Sequence, residues 1–261
     1  MIDARGLALG YGDRVVLRDV SVTLRGGELV AIVGPNGSGK STLLRAFAGV
    51  MAPQRGTVLV DGSPVHALGP AARARCVALL AAEDTADGDV NVRDAVALGR
   101  LAHRPWWRWN GLPEDDAIVD AALARVDLVP FAERALDTLS SGERQRVWIA
   151  TALAQRAPTM LFDEPTSHLD LGGAYATLDI LRSLVDEGAA IAVVLHDLNL
   201  AVASVDRLIL VGDGTVLADG PVDAVFRSDV LTRAYGAEIT VGRTTDGMMV
   251  AVPQRRRPRP R

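Results

Sequence analysis

The sequence predicts an α/β fold, with a mostly parallel sheet interrupted once by a helical insert. Three observations predict it. A Gly-rich loop, Gly34-Pro35-Asn36-Gly37-Ser38-Gly39-Lys40-Ser41-Thr42, joins an apolar run to a helical one. Short β-like runs fill residues 1 to about 80 and return from Thr159. Between them, from about 83 to 157, apolar residues recur at helical spacing.

Each element has its own reason. Ile2–Leu9 and Val15–Leu24 are β-like runs divided by Gly- and Asp-containing turns. Leu29–Val33 is continuously apolar and reads as a buried strand; Leu43–Phe47 reads as the start of a helix. Thr57–Val60 is a further short strand. Val92–Leu101, Glu114–Val126 and Glu143–Gln155 carry the helical spacing of the insert. Strands then return at Met160–Phe162, Ala190–Leu195 and Arg207–Val211, with helix-like Ala174–Val185 between them. That alternation argues for parallel pairing. There is no internal repeat. The basic, proline-broken run Arg255–Arg261 reads as a disordered, solvated end, with weak attraction to anionic lipid as the minor alternative.

Composition sets limits. With 261 residues, 49% hydrophobic, the chain can bury the core of one large α/β domain or two small ones. A net charge of −4 argues against a whole-protein affinity for nucleic acid. The single cysteine, Cys76, excludes an internal disulfide and fits a reducing compartment. No N-terminal stretch pairs a basic region with an apolar one, so no signal peptide is expected. Apolar runs such as Ala189–Leu195 fall far short of the roughly 20 residues of a membrane span. The expectation is a chain soluble on its own, reaching a membrane only through a partner.

Gly34–Thr42 fits G-x-x-x-x-G-K-[ST], in strand–loop–helix context. Its glycines let backbone N–H groups turn inward on an anion, and the helix N-terminus adds its positive end. Lys40 is then expected on β- and γ-phosphates, and the Ser41 hydroxyl on Mg²⁺. Met160–Glu164 is an apolar run ending in two acids. Strands often end in exposed acids, but the phosphate loop about 120 residues earlier gives these two a purpose. Asp163 is a candidate to hold Mg²⁺ through water, and Glu164 to act as general base on the attacking water.

Ser140 and Glu143 have the spacing of a helix capping box. The same geometry makes Ser140, the Gly142 backbone and the helix start an anion site suited to a γ-phosphate. A second such site beside the chain's own phosphate loop points to action in trans. His196 ends the strand Ala190–Leu195. Most such histidines are structural, but if this strand neighbours the loop strand, His196 lies near the γ-phosphate. Tyr11 either stacks on a base or is a turn aromatic covering the core.

Together these elements resemble the nucleotide-binding subunit of an ATP-binding cassette (ABC) transporter, over residues 1 to about 240. Gly34–Thr42 resembles the Walker A of that family, Leu139-Ser140-Ser141-Gly142-Glu143 its signature, and Met160–Glu164 its Walker B with the catalytic glutamate. Ser167-His168-Leu169-Asp170 resembles its D-loop, which adds Asp170 to the nucleotide contacts. His196 falls at the switch histidine and Tyr11 at the base-stacking aromatic. The resemblance implies a P-loop NTPase core with a mostly parallel sheet, an antiparallel β-subdomain and an inserted α-helical subdomain. It implies an ATPase domain over residues 1–240, helical subdomain at about 83–157, and a C-terminal extension over 241–261.

Two departures stand out. The signature carries Ser141 and Glu143 where the family usually has glycine and glutamine. The glutamine that normally follows the strand at Val77–Ala81 is replaced by Ala82, with Glu83 or Asp84 as candidate substitute oxygen ligands for Mg²⁺. Val96–Arg104, Trp148–Gln155 and His196–Ala201 resemble subunits of importers for iron–siderophore complexes, haem and cobalamin.

The resemblance therefore implies an ATP-hydrolysing subunit using ATP and Mg²⁺ on the cytoplasmic face of the membrane. Its expected partners are a second cassette (a homodimer), transmembrane permease subunits and, through them, a solute-binding protein. Iron–siderophore import is the leading expectation, with haem or cobalamin import, or a weakly active cassette in a heterodimer, as alternatives. A soluble cassette ATPase acting on DNA or ribosomes fits poorly, because long coiled-coil inserts or a second cassette are missing.

Overall fold

A computed structural model describes residues 1–81, 90–105, 112–167 and 169–254. Ala82, Glu83 and Asp84, His168 and the basic tail 255–261 lie outside the described residues, with the expectations attached to them.

Strands β1 (Ile2–Tyr11), β2 (Arg14–Leu24), β4 (Arg55–Val60) and β5 (Ser63–Pro64) form a four-stranded antiparallel sheet in the order β2-β1-β4-β5. The main sheet has six strands in the order β10-β9-β3-β8-β7-β6. These are β3 (Glu28–Val33), β6 (Val77–Leu80), β7 (Thr159–Asp163), β8 (Ala190–Val194), β9 (Arg207–Gly212) and β10 (Thr215–Pro221). All pairs are parallel except β10 on β9. The mixed α/β class, mostly parallel sheet and antiparallel subdomain are as expected.

The parallel strands are apolar throughout because both faces are covered. Side-chain alternation sends Leu29, Ala31 and Val33 into one core and Val30 and Ile32 into the other. Phe162 and Leu161 divide the same way, as do Val193 and Ala192. The first core lies under the helices α3 (Val92–Ala97), α4 (Asp115–Arg125), α5 (Ser141–Gln155) and α6 (Leu171–Asp186). The second lies between the two sheets and takes in α1 (Lys40–Phe47).

Helix α3 ends at Ala97, short of the expected Leu101, and continues as a 3-10 segment, Leu98–His103. Gly99 explains the tight packing there: a Cβ on it would lie 2.3 Å from the Thr151 carbonyl of α5. The remaining helices are α2 (Pro70–Cys76), α7 (Leu198–Ser204), α8 (Val222–Val225) and α9 (Ser228–Tyr235). The boundary expected at 240 falls inside a strand. Residues beyond it form a hairpin of β11 (Ile239–Arg243) and β12 (Met249–Pro253), in register from Ile239–Pro253 to Arg243–Met249. No helix among the described residues is long and apolar enough to cross a membrane.

A buried ion network fixes the helical insert. Asp115, 2% exposed, accepts from Arg100 Nε and Arg104 Nε at 2.8 Å each, and from the Leu112 N–H at 2.9 Å. Burial alone would push this carboxyl up, but the donors outweigh it and hold it at about 2, against an ordinary 3.8. Asp115→Asn is expected to cost about 3–5 kcal/mol of unfolding free energy at neutral pH, because it strands the buried Arg100 guanidinium. A carboxyl held low stabilises above its unfolded pKa and loses that contribution as pH falls through its folded one. The advantage of the parent over the variant in urea unfolding should therefore shrink as pH drops from about 4 toward 2. Equal stability at neutral pH would show that the network contributes nothing.

Candidate nucleotide site

Parallel register brings the chemistry to one edge. Ile32 pairs with Val194, and Asp163 also pairs with Val194, so β8 lies between β3 and β7. The loop after β3, the acid ending β7 and the histidine after β8 leave the sheet at their carboxyl ends, where open α/β sheets form their clefts.

The loop Gly34–Thr42 is a backbone cradle with the shape to hold an anion. Gly34 and Gly39 hold φ values of +149° and +105°. A Cβ on Gly34 would lie 2.0 Å from the Val211 carbonyl, so no other residue fits. Helix α1 opens at Gly39 with no side chain capping its first N–H groups, which leaves them for an anion. The Ser38 hydroxyl is buried and unpartnered, so the loop has donor capacity that its own fold does not use.

Lys40 is buried, with Nζ donating to the Gly34 carbonyl at 2.9 Å and the Pro35 carbonyl at 3.0 Å. Burial pushes its pKa down, opposed by the charges of Glu164 and Asp163. Ser41 Oγ donates to Asp163 Oδ1 at 3.0 Å. Asp163 is 4% exposed, and burial pushes its carboxyl up despite that bond. Two oxygens so placed suit a hard cation. No cluster of three or more His, Cys, Asp or Glu able to hold a metal occurs among the described residues, so an ion here needs phosphate oxygens and water to complete its shell.

Glu164 sits in left-handed backbone, φ +56°, rare for a residue with a Cβ. Its Oε1 lies 2.5 Å from His196 Nε2, and its Oε2 accepts from Ser167 Oγ at 3.2 Å. A carboxylate held by an imidazole and a hydroxyl at the rim of an anion cradle is placed to take a proton from water. Tyr11, half exposed, bonds through its hydroxyl to Thr42, which with the nearby Arg45 lowers its pKa.

Tyr11, Asn36, Gly37, Gly39, Lys40, Ser41, Thr42, Glu164 and His196 line one pocket of about 650 Å³, and Asp163 and Gly34 lie outside its lining. That is an ordinary size for a ligand site. Arg14 and Val16 also line it and were not anticipated. The available signal was the Gly12-Asp13 turn, which pairs Arg14 with Tyr11 across a hairpin.

Ser140, Gly142 and Asp170 do not line this pocket. Ser140 caps α5 in a closed capping box: its Oγ accepts from the Glu143 N–H at 3.2 Å and donates to Glu143 Oε2 at 2.8 Å. The Ser140 N–H also donates to Glu143 Oε2 at 2.8 Å, and these two donors hold the Glu143 carboxyl below its usual range. Asp170 caps α6, accepting from the Gly173 N–H at 2.7 Å. It lines a neighbouring hollow of about 260 Å³ with Glu164, Ser167 and His196.

A family model described as ABC transporter matches residues 17–167, more than half of the chain. The chain is 43% identical over 242 residues to a cobalamin import ATP-binding protein of Halobacterium salinarum, covering 92% of this chain but only 60% of that relative's length. It is 44% identical over 243 residues to a hemin import ATP-binding protein of Nocardia farcinica (91% and 83% of the two chains). It is 40% identical over 232 residues to the ferric enterobactin transport ATP-binding protein of Escherichia coli K12 (88% and 85%). Among solved structures, a chain of a metal-chelate type ABC transporter in an inward-facing conformation shares the fold at TM-score 0.85 over 98% of both chains, with 24% identity. A dimeric bacterial ABC transporter cassette matches at TM-score 0.76 and 28% identity, covering 85% and 98%.

Proposed function

The chain belongs to the ABC transporter family, and we propose that it is the ATP-hydrolysing subunit of a binding-protein-dependent importer for iron–siderophore complexes. The observation that carries the catalytic reading is the meeting of Lys40, the Ser41–Asp163 pair and the Glu164–His196 pair at one sheet edge. ATP enters with its base at Tyr11 and its β- and γ-phosphates in the glycine cradle. Lys40 turns from the Gly34 and Pro35 carbonyls to those phosphates, and Ser38 gains a partner. Mg²⁺ would be held by Ser41 Oγ and, through water, by Asp163, and supplies charge neutralisation on the phosphate oxygens. Glu164 accepts the proton of the attacking water, and His196 fixes the carboxylate that does so.

Ser140 and Gly142 act in trans, on the ATP held by a second copy. In that dimer the γ-phosphate competes with Glu143 for the Ser140 N–H and hydroxyl, so the capping box opens as the dimer closes. The chain sits at the cytoplasmic face of the membrane on permease subunits, and a periplasmic or surface solute-binding protein completes the transporter through them. The ferric enterobactin relative supports an iron–siderophore cargo, and the subfamily-like segments fit siderophore, haem and cobalamin importers alike. The hemin and cobalamin relatives support the second reading, import of a metal macrocycle.

Mixing tests the composite site. Lys40→Ala and Ser140→Arg each spoil a different wall, so a mixed dimer keeps one pocket with both walls intact. Two inactive variants are expected to regain turnover when combined, approaching a quarter of parent activity if they mix at random and one pocket suffices. No recovery, with mixed dimers demonstrated by tagged co-purification, would rule out the trans role. Cargo is tested separately, with the co-purified permease in vesicles, by which of ferric siderophore, haem or cobalamin stimulates ATP turnover.

A further inference from the structure

The C-terminal hairpin, which the sequence places outside the catalytic domain, touches the element that carries His196. Asn199 is the second residue of α7. Its side-chain Oδ1 accepts from the Ala251 N–H of β12 at 2.8 Å, and its Nδ2 donates to the Ala251 carbonyl at 3.4 Å. The amide thus meets both backbone groups of one strand residue, as a neighbouring strand would. Ala251 is itself buried in the core beneath.

What α7 holds is the histidine. Asp197 caps the helix, its carboxylate accepting from the Asn199 and Leu200 N–H groups at 2.8 and 3.1 Å. His196 immediately precedes that cap. On its other side, the Leu195 N–H donates to the Ile32 carbonyl of β3 at 3.3 Å. The His196 side chain is 43% exposed, so packing does little to hold it. Its position is set by the backbone on either side and by Glu164. With seven residues, α7 is too short to be stable unaided and depends on what it docks against. Buried Leu200 and Ala201 face the core; Asn199 supplies the directional bonds to the hairpin.

We infer that Asn199 is a positioning residue for hydrolysis, through which the β11–β12 hairpin fixes the His196–Glu164 pair. The inference rests on the catalytic reading proposed above. It makes the residues after 240 part of the catalytic unit.

The consequence is a split between chemistry and binding. The phosphate cradle, Lys40 and Tyr11 do not pass through α7, so nucleotide affinity should not depend on Asn199. Displacing a catalytic group by a fraction of an ångström is enough to slow the chemistry. Asn199→Leu keeps the side-chain shape and removes both bonds; Asn199→Gln keeps the amide's acceptor and donor on an arm one methylene longer.

The test measures steady-state ATP turnover per nucleotide-binding site, titrated with a fluorescent ATP analogue, together with thermal unfolding. Asn199→Leu is expected to lower kcat about tenfold with KM and analogue affinity within about twofold of the parent. Asn199→Gln should recover much of the lost kcat. The inference is overturned if Asn199→Leu keeps the parent kcat, or if Asn199→Gln is no better than Asn199→Leu. It is also overturned if kcat, affinity and thermal midpoint fall together, which is general damage. Glu164→Gln runs alongside. If that variant keeps parent turnover, the catalytic reading and this inference both fall; if it is inactive, a parent-like Asn199→Leu overturns this inference alone.

Discussion

Glu164→Gln is expected to bind ATP at least as tightly as the parent and hydrolyse it about 10²–10⁴-fold more slowly, the usual cost of losing a positioned general base. The change is nearly isosteric. Glutamine Oε1 can still accept from His196 Nε2, which lies 2.5 Å from the parent oxygen. The amide can also stay in contact with Ser167 Oγ. What it cannot do is take a proton from water. Binding is spared because Lys40, the cradle and Ser41–Asp163 are untouched, so the loss should fall on kcat and not on affinity. Removing a negative charge beside the γ-phosphate favours binding further. An ATP dimer that opens only on hydrolysis should then accumulate. Light scattering with Mg-ATP would show a dimer for the variant; a monomer with unchanged turnover would refute the mechanism.

The geometry of the candidate site was legible in sequence wherever it is local. Gly34–Thr42 is legible because a phosphate cradle needs particular residues at adjacent positions, and the structure puts the left-handed glycines where the pattern has them. The central strands were legible for a different reason. A strand covered on both faces reads as an unbroken apolar run, as Leu29–Val33 does. Strand β10 has partly exposed sides and only a three-residue apolar stretch, Val216–Ala218, so packing decides it and the local pattern does not; β12 does carry an apolar run, Met249–Val252, which the expected strands left out. Helix α7 went unseen because seven residues carry too little periodicity. The Glu164–His196 contact was foreseeable only as a condition, that two strands be close. Sheet order is a long-range fact, and here it places β8 between β3 and β7. Asn199 was invisible as a link because its partner, Ala251, is named by nothing in its own sequence. The capping box at Ser140 shows the opposite limit. Sequence gave two uses for one geometry, and the structure displays the cap while the trans use awaits the mixed dimer.

Lys40→Ala is expected to lower ATP affinity by about 30- to 4,000-fold and to leave turnover near background, since truncating one partner of a buried hydrogen-bonded charge pair costs about 2–5 kcal/mol. The argument is electrostatic. Lys40 is the buried cation of the cradle, with the carboxylates of Asp163 and Glu164 close enough to raise its pKa against the pull of burial. Without it, the γ-phosphate would meet those two acids with only backbone dipoles and the metal to offset them. The fold should survive, because Lys40 opens α1 and its backbone bonds do not depend on its side chain. Titration of parent and variant with labelled ATP, beside matching thermal melts, decides the matter. A correctly folded Lys40→Ala that binds and turns over ATP like the parent would remove Gly34–Thr42 from the phosphate site, and with it the assignment of every residue placed around that loop.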